Sequence, residues 1–327
     1  MPRAASIGYS DAMSNAAFPI RFGIQTPQEG TTFEALAAHW READALGFDS
    51  IWIDDHFYSV VRPQSEPQME AWTLLAALAR ETKRIRFGIL VTCNSYRSPA
   101  LLAKMAATVD VISGGRLIHG IGAGWFAAEY EGYGYEFPDV GVRLAQLDES
   151  LVVQKLLWTE ERPSFKGRWY RLHEAWASPK PAQRPHPPVM IGGGGEKVLL
   201  RLVARHADMW NNGGELAEFE RKLDVLRRHC EREKRDFASI EKSWFGNVIV
   251  DSDPARARTR LERTAAAWGL SPEQMAARAL AGTPEEVIER VRQYVALGVT
   301  HFIGMHGRVE DLRSARLFAE RVLPAFR

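Results

Sequence analysis

Cysteine is scarce in this chain of 327 residues, with Cys93 and Cys230 the only two. Two thiols cannot build a disulfide framework, and they suit a reducing compartment such as the cytoplasm. Neither sign of charge prevails: 42 Lys and Arg stand against 41 Asp and Glu, a formal net charge of +1. That balance gives no electrostatic footprint for nucleic acid or a membrane surface. No apolar run approaches the length of a membrane span. Paired-cysteine and His-Glu-x-x-His spacings are missing, so no metal site is expected, and no Gly-x-Ser-x-Gly elbow marks a serine nucleophile. Residues 1–18 lack the apolar core of a signal peptide and read as a flexible tail.

What is present is a regular alternation of strand and helix signals. Short apolar strands are predicted at Ile20–Gln25, Ser50–Ile53, Ile85–Thr92, Arg116–Gly122, Pro188–Ile191, Asp208–Asn211, Ser243–Val250 and Thr300–Gly304. Helices fall between nearly all of them. Thr31 and Glu34 have the spacing of a capping box, Ser98-Pro99 opens a helix as cap and first-turn proline, and Thr283 and Glu286 form another box. Eight βα units favour a parallel sheet closed into a (β/α)8 TIM barrel over an open doubly wound sheet. Residues 19–327 read as one such domain. Two excursions interrupt the repeat, one after strand four (Trp125–Trp176, with a helix at Arg143–Trp158 and a hairpin around Gly167) and one after strand seven (Asp251–Gly282).

Barrel enzymes build their sites from residues just past the strand ends. Here those are Gln25, Asp55, His56, Thr92, Cys93, Asn94, Arg97, Trp125, Glu129, Asn211 and His306. Asp54-Asp55-His56 follows Ser50–Ile53 directly; an imidazole beside carboxylates can exchange a proton near neutral pH, or it sits as a spectator in a surface turn. Gly192, Gly193, Gly194 and Gly195 lie between a strand and a helix, where backbone amides can close on an anion, or where the run is merely a flexible turn. Gly120–Gly124 either admits a flat ring to the backbone or makes a tight bend. Cys93 fits a small buried hydrophobe, and His306 is a further candidate facing the pocket.

These segments together carry a resemblance. Gly47-Phe-Asp-Ser-Ile-Trp-Ile-Asp-Asp-His56, Ser98-Pro-Ala-Leu-Leu-Ala-Lys104, Ser113-Gly-Gly-Arg-Leu-Ile-His-Gly-Ile-Gly-Ala-Gly-Trp125, Pro187-Pro-Val-Met-Ile-Gly-Gly-Gly-Gly195 and Ala207-Asp-Met-Trp-Asn211 occur in this order. The chain resembles the bacterial-luciferase-like (β/α)8 superfamily, and within it the F420-dependent oxidoreductases. The resemblance implies a deazaflavin F420 across the barrel mouth, with FMN and a two-component monooxygenase as the alternative, or a flavin-binding barrel without catalysis. It implies that Gly192–Gly195 hold the cofactor phosphate and that Asp55 and His56 adjoin the ring, with His56 handling the proton. A non-proline cis bond at Leu90-Val91 would lie behind the ring, and Ala123 and Gly124 would line it. Tyr58, Trp125 and Phe126 would wall a pocket for a small organic substrate with an activated C=C, C=N or C=O bond. The family's sugar-phosphate dehydrogenases carry a Trp where this chain has Val60, and an acid where it has Trp125. Glucose 6-phosphate is therefore not the expected substrate, and Glu129 is the candidate to supply a missing acid. A homodimer through the helices at Glu70–Arg80 and Ser98–Ile112 is also expected.

Overall fold

The computed structural model describes residues 18–60 and 63–327, so the expected N-terminal tail, Phe18 apart, lies outside the described residues. Eight parallel strands close on themselves: β1 (Arg21–Gln25), β2 (Ser50–Ile53), β3 (Arg86–Ile89), β4 (Leu117–Gly122), β5 (Val189–Gly192), β6 (Met209–Asn212), β7 (Glu241–Val250) and β8 (Val299–Met305). Each pairs with the next, and β8 returns to β1 with Phe302 opposite Phe22. The helices are α1 (Phe33–Ala45), α2 (Ala71–Glu81), α3 (Pro99–Ser113), α4 (Ala127–Tyr133), α5 (Val140–Thr159), α6 (Leu199–His206), α7 (Leu216–Glu233), α8 (Pro254–Ala267), α9 (Pro272–Arg278), α10 (Pro284–Ala296) and α11 (Arg313–Arg321). The excursion after β4 holds α4, α5 and a hairpin (Phe165–Lys166 against Arg171–Leu172); that after β7 holds α8, α9 and a short strand pairing with β7.

Local chemistry sets most boundaries. Ser98 accepts the Leu101 amide at the start of α3, Pro99 occupies the first turn, and Gly114 ends the helix in the left-handed region. Thr283 and Glu286 cap α10 reciprocally. At α1 the cap is Thr32 and not Thr31, because Thr31 is drawn away to the Glu310 carboxylate; the box expected there does not form. After the glycine run, α6 begins at Leu199 rather than Glu196, since residues 196–198 form a turn first.

Most of the apolar core lies between strands and helices, where Phe22, Ile51, Phe87, Trp210, Trp244 and Phe302 meet helix residues such as Trp40, Leu75 and Phe219. Inside the barrel a smaller cluster of Trp52, Ile118, Met190, Met209 and Ile303 supports Leu90 and Phe245. Nearer the strand starts the lumen is polar, with Arg21 paired to Glu241 and Ser50 bonded to His301 and the Trp52 indole.

The third strand departs from the continuous run expected over Ile85–Thr92. It stops at Ile89, the Leu90-Val91 bond is cis, and pairing resumes at Thr92–Cys93 against Ile121 and Gly122. Val91 lies over two neighbouring strands. A Cβ on Gly122 would stand 2.8 Å from one Val91 methyl, and one on Gly192 would stand 2.8 Å from the other. A Cβ on Gly120 would run into the Ile89 carbonyl oxygen. Glycine in β4 and β5 is thus demanded by the bent strand. Gly120→Ala, which must displace backbone, is expected to cost about 1–3 kcal/mol or more. Gly141→Ala, in open space on α5, should be neutral or stabilising by up to ~1 kcal/mol. Urea denaturation of the two variants checks the contrast, and equal midpoints would refute it.

Candidate active site

Because all eight strands run parallel, the residues following β2 and β5 share one rim of the barrel. His56, two residues beyond the Asp54 that follows β2, turns its Nδ1 toward Glu129 of α4, 2.8 Å from Oε2. A carboxylate has no proton to give, so Nδ1 is the donor and Nε2 is left for other partners. Glu129 is wholly enclosed, at 0% exposure. It also accepts the Phe57 amide at 2.6 Å and the Tyr96 hydroxyl at 2.8 Å. Burial alone would lower the His56 pKa, but the Glu129 hydrogen bond and the charges of Asp54, Glu129 and Asp55 outweigh it and raise the value above 6.5.

Asp55 points the other way. Its carboxylate forms a two-pronged pair with Arg97 at 2.8 and 2.9 Å and accepts the Cys93 amide at 2.9 Å. Arg97 also reaches Glu70, whose carboxylate caps the Trp72 and Thr73 amides at the start of α2. Asp55 is therefore fully partnered, and it ties the end of β2 to the resumed third strand. Asp54 accepts from Gln68 Nε2, and burial lifts its carboxyl to about 7, with His56 pulling it back and Glu29 adding to the rise.

Across the bent third strand lies the glycine run. Gly193 is pinned to β6 from both sides, its amide donating to the Asn211 carbonyl and its carbonyl accepting the Trp210 indole. The amides of Gly194 and Gly195 donate to no acceptor among the described residues. Beside them stand two polar groups that the strand-end reading did not reach: a Cβ on Gly194 would strike Lys222 Nζ and lie 2.7 Å from Asn212 Oδ1. Lys222 is ion-paired with Glu218 at 2.8 Å, so an anion here would rely on the free amides and share the ammonium with that carboxylate.

The remaining wall is aromatic. Trp125 and Phe126 approach the His56 ring edge-on at 5.9 and 6.0 Å, Tyr58 meets Phe126 at 5.8 Å, and Trp125 is 64% exposed. Gly124 is not an open cradle, since a Cβ there would collide with the Tyr130 hydroxyl and lie 2.7 Å from Cys93 Sγ. Cys93 bonds the Tyr130 hydroxyl at 3.1 Å, and burial pushes its thiol up to about 11, so it is a packed group rather than a nucleophile. His306 packs between Phe48 and Phe318, where burial lowers it to about 3.

The chain matches the family described as luciferase-like monooxygenase over residues 16–269. An F420-dependent glucose-6-phosphate dehydrogenase of Intrasporangium calvum is 31% identical, over 89% of this chain and 94% of that one. Another, from Segniliparus rotundus, is 29% identical over 94% and 98%. The protein belongs to the luciferase-like monooxygenase family. Among solved structures, an F420-dependent secondary alcohol dehydrogenase in complex with an F420-acetone adduct superposes with a TM-score of 0.83 at 23% identity, covering 95% of this chain and 100% of that one. The F420-dependent tetrahydromethanopterin reductase from Methanopyrus kandleri gives 0.79 at 20% identity, covering 95% and 100%. Both share the barrel.

Within this luciferase-like barrel, Glu129 faces inward behind His56 rather than into the mouth. Tyr96, Asn212 and Lys222 are the polar side chains that strand-end inspection passed over: Tyr96 lies in a loop, Lys222 on α7, and no spacing links either to its partners. Arg97 is 9% exposed and Asp55 2% at the side chain, so their pair is buried. Arg97→Met leaves a buried carboxylate unpaired, at an expected cost of about 3–5 kcal/mol. A urea midpoint equal to the native one would show that the pair holds nothing together.

Proposed function

We propose that this protein is an oxidoreductase that transfers a hydride between coenzyme F420 and a small organic substrate, delivering it to an activated C=C, C=N or C=O bond. The observation that carries this reading is one rim holding both a histidine–carboxylate pair and a glycine turn flanked by Lys222. Relatives across nearly the whole chain are named for F420-dependent dehydrogenation, which supports the cofactor. When bound, F420 supplies or accepts a hydride at its ring carbon.

Each residue then has a task. The free Gly194 and Gly195 amides and Lys222 hold the phosphate. Leu90 and Val91 back the ring from the bent strand, next to Ala123. Trp125, Phe126 and Tyr58 form an apolar wall that docks a flat, uncharged substrate and keeps water away from the reacting carbon. Hydride addition to a C=O or C=N leaves negative charge on the heteroatom, and His56 Nε2 supplies the proton that quenches it. The raised His56 pKa keeps the donor form available at neutral pH. Glucose 6-phosphate fits poorly, because by the resemblance Val60 and Trp125 take the positions at which the family's sugar-phosphate enzymes are expected to carry a Trp and an acid.

We also read the protein as a cytoplasmic homodimer. No helix among the described residues is long and apolar enough to cross a membrane, and both cysteines are free. The apolar residues of α2 are spent in the core, whereas Leu101, Val111 and Ile112 on α3 remain exposed, so α3 is the face for a second copy.

Two measurements test the reading. Anaerobic titration should give tight F420 binding and weak FMN binding, both little changed in His56→Ala; preference for FMN would overturn it. With F420H2 and an enone or imine substrate, His56→Ala should slow the chemical step about 10²–10⁴-fold. Since reduction needs the protonated ring, the native rate should fall as pH rises through a value above 6.5. A rate that climbs over the same range would remove His56 as donor.

A further inference from the structure

We propose that Glu129 and Tyr96 are a positioning pair that locks His56 in one tautomer, with Nδ1 protonated and Nε2 presented to the mouth. The inference deepens the functional reading above and rests on His56 as the proton-handling group.

The geometry is over-determined. Glu129 receives three donors from two separate segments: the His56 ring and the adjacent Phe57 main chain past β2, and the Tyr96 hydroxyl beyond the bent third strand. Oε2 carries two of them and Oε1 the third, so the carboxylate cannot turn without breaking contacts in an enclosed space. Tyr96 is itself held, with its ring 4.5 Å from Phe57, 5.2 Å from Tyr130 and 5.1 Å from Tyr135. The Tyr135 hydroxyl then donates to the Tyr96 carbonyl at 3.2 Å. Neither Glu129 nor Tyr96 reaches the mouth, so both act through His56.

The charges around the ring make the effect directional. Besides Glu129, His56 faces Asp54, which lies near Glu29, and Asp55, which Arg97 neutralises. Tyr58 and Tyr96 are the hydroxyls nearby. Removing the Tyr96 hydroxyl withdraws one donor from Glu129, so more of its negative charge falls on the imidazolium. Replacing the carboxylate by an amide does the reverse. In Glu129→Gln the amide oxygen keeps the Phe57 amide, the new NH2 faces Nδ1, and the neutral ring must carry its proton on Nε2.

Nitrogen-15 NMR of histidine-labelled enzyme, with the His56 signals assigned by their loss in His56→Ala, reads tautomer and pKa without turnover. At a pH above its pKa, where the ring is neutral, native His56 should show Nδ1–H. Glu129→Gln should switch it to Nε2–H and lower the pKa by roughly 1 unit or more, with the pH–rate profile moving the same way. Tyr96→Phe should keep the tautomer and raise the pKa, so it serves alone if the glutamine variant does not fold. Native tautomer and pKa in either folded variant would overturn the proposal. Full turnover in His56→Ala, with the NMR shifts as expected, would instead overturn the functional reading and leave the positioning intact.

Discussion

The bend of the third strand at Leu90-Val91 is the constraint on which the mouth depends. By leaving its ladder for two residues, the chain lays Val91 across β4 and β5 and puts Leu90 on top of the barrel's inner apolar cluster. Neither placement is possible unless the neighbouring strands give up their side chains, which is why glycine stands at 120, 122 and 192. Gly192 also opens the turn that offers free amides. A packing requirement and the proposed phosphate-binding turn thus share one short stretch of backbone.

Charge at the rim is sorted into two systems of different character. Asp55, Arg97 and Glu70 form a closed pair-and-cap arrangement with every oxygen engaged, and its effect is mechanical: it fastens the ends of β2 and the third strand to α2. His56 and Glu129 form the other system, in which a titratable ring keeps one nitrogen free. Burial is the largest influence on the proton equilibrium of His56 and lowers it; with Arg97 compensating the carboxylate next in sequence, the opposing upward pull comes chiefly from Glu129 and Asp54. Aromatic edges cover the remaining side, which lowers the local polarity and makes each of those charges count for more.

Much of this was legible in the sequence. The eight βα units, both excursions, the Ser98 and Thr283 caps and the Asp-Asp-His stop after β2 are signals local in the chain, and each marks a spacing set by hydrogen bonding or burial. Glycine at 192–195 was equally plain, although part of its purpose, room for Val91, was not. What escaped depends on contacts between distant segments. His56 and Glu129 are 73 residues apart. Tyr96 belongs to a loop with no periodicity, and Lys222 projects from the middle of α7, where a lysine reads as an ordinary solvated side chain. The seven-residue α4 was missed because its Gly and Tyr content resembles loop, and it is held by what Glu129 and Tyr130 bury. Thr31 failed as a cap for the same reason: a partner 279 residues away competed for it.

A crystal structure with F420 bound tests the central claim most directly. The account requires the phosphate on the Gly194 and Gly195 amides with Lys222 Nζ beside it, the ring against Leu90 and Val91, and His56 Nε2 facing the space over the ring's reactive carbon. A cofactor seated at the opposite end of the barrel, or a phosphate away from the glycine turn, would contradict it.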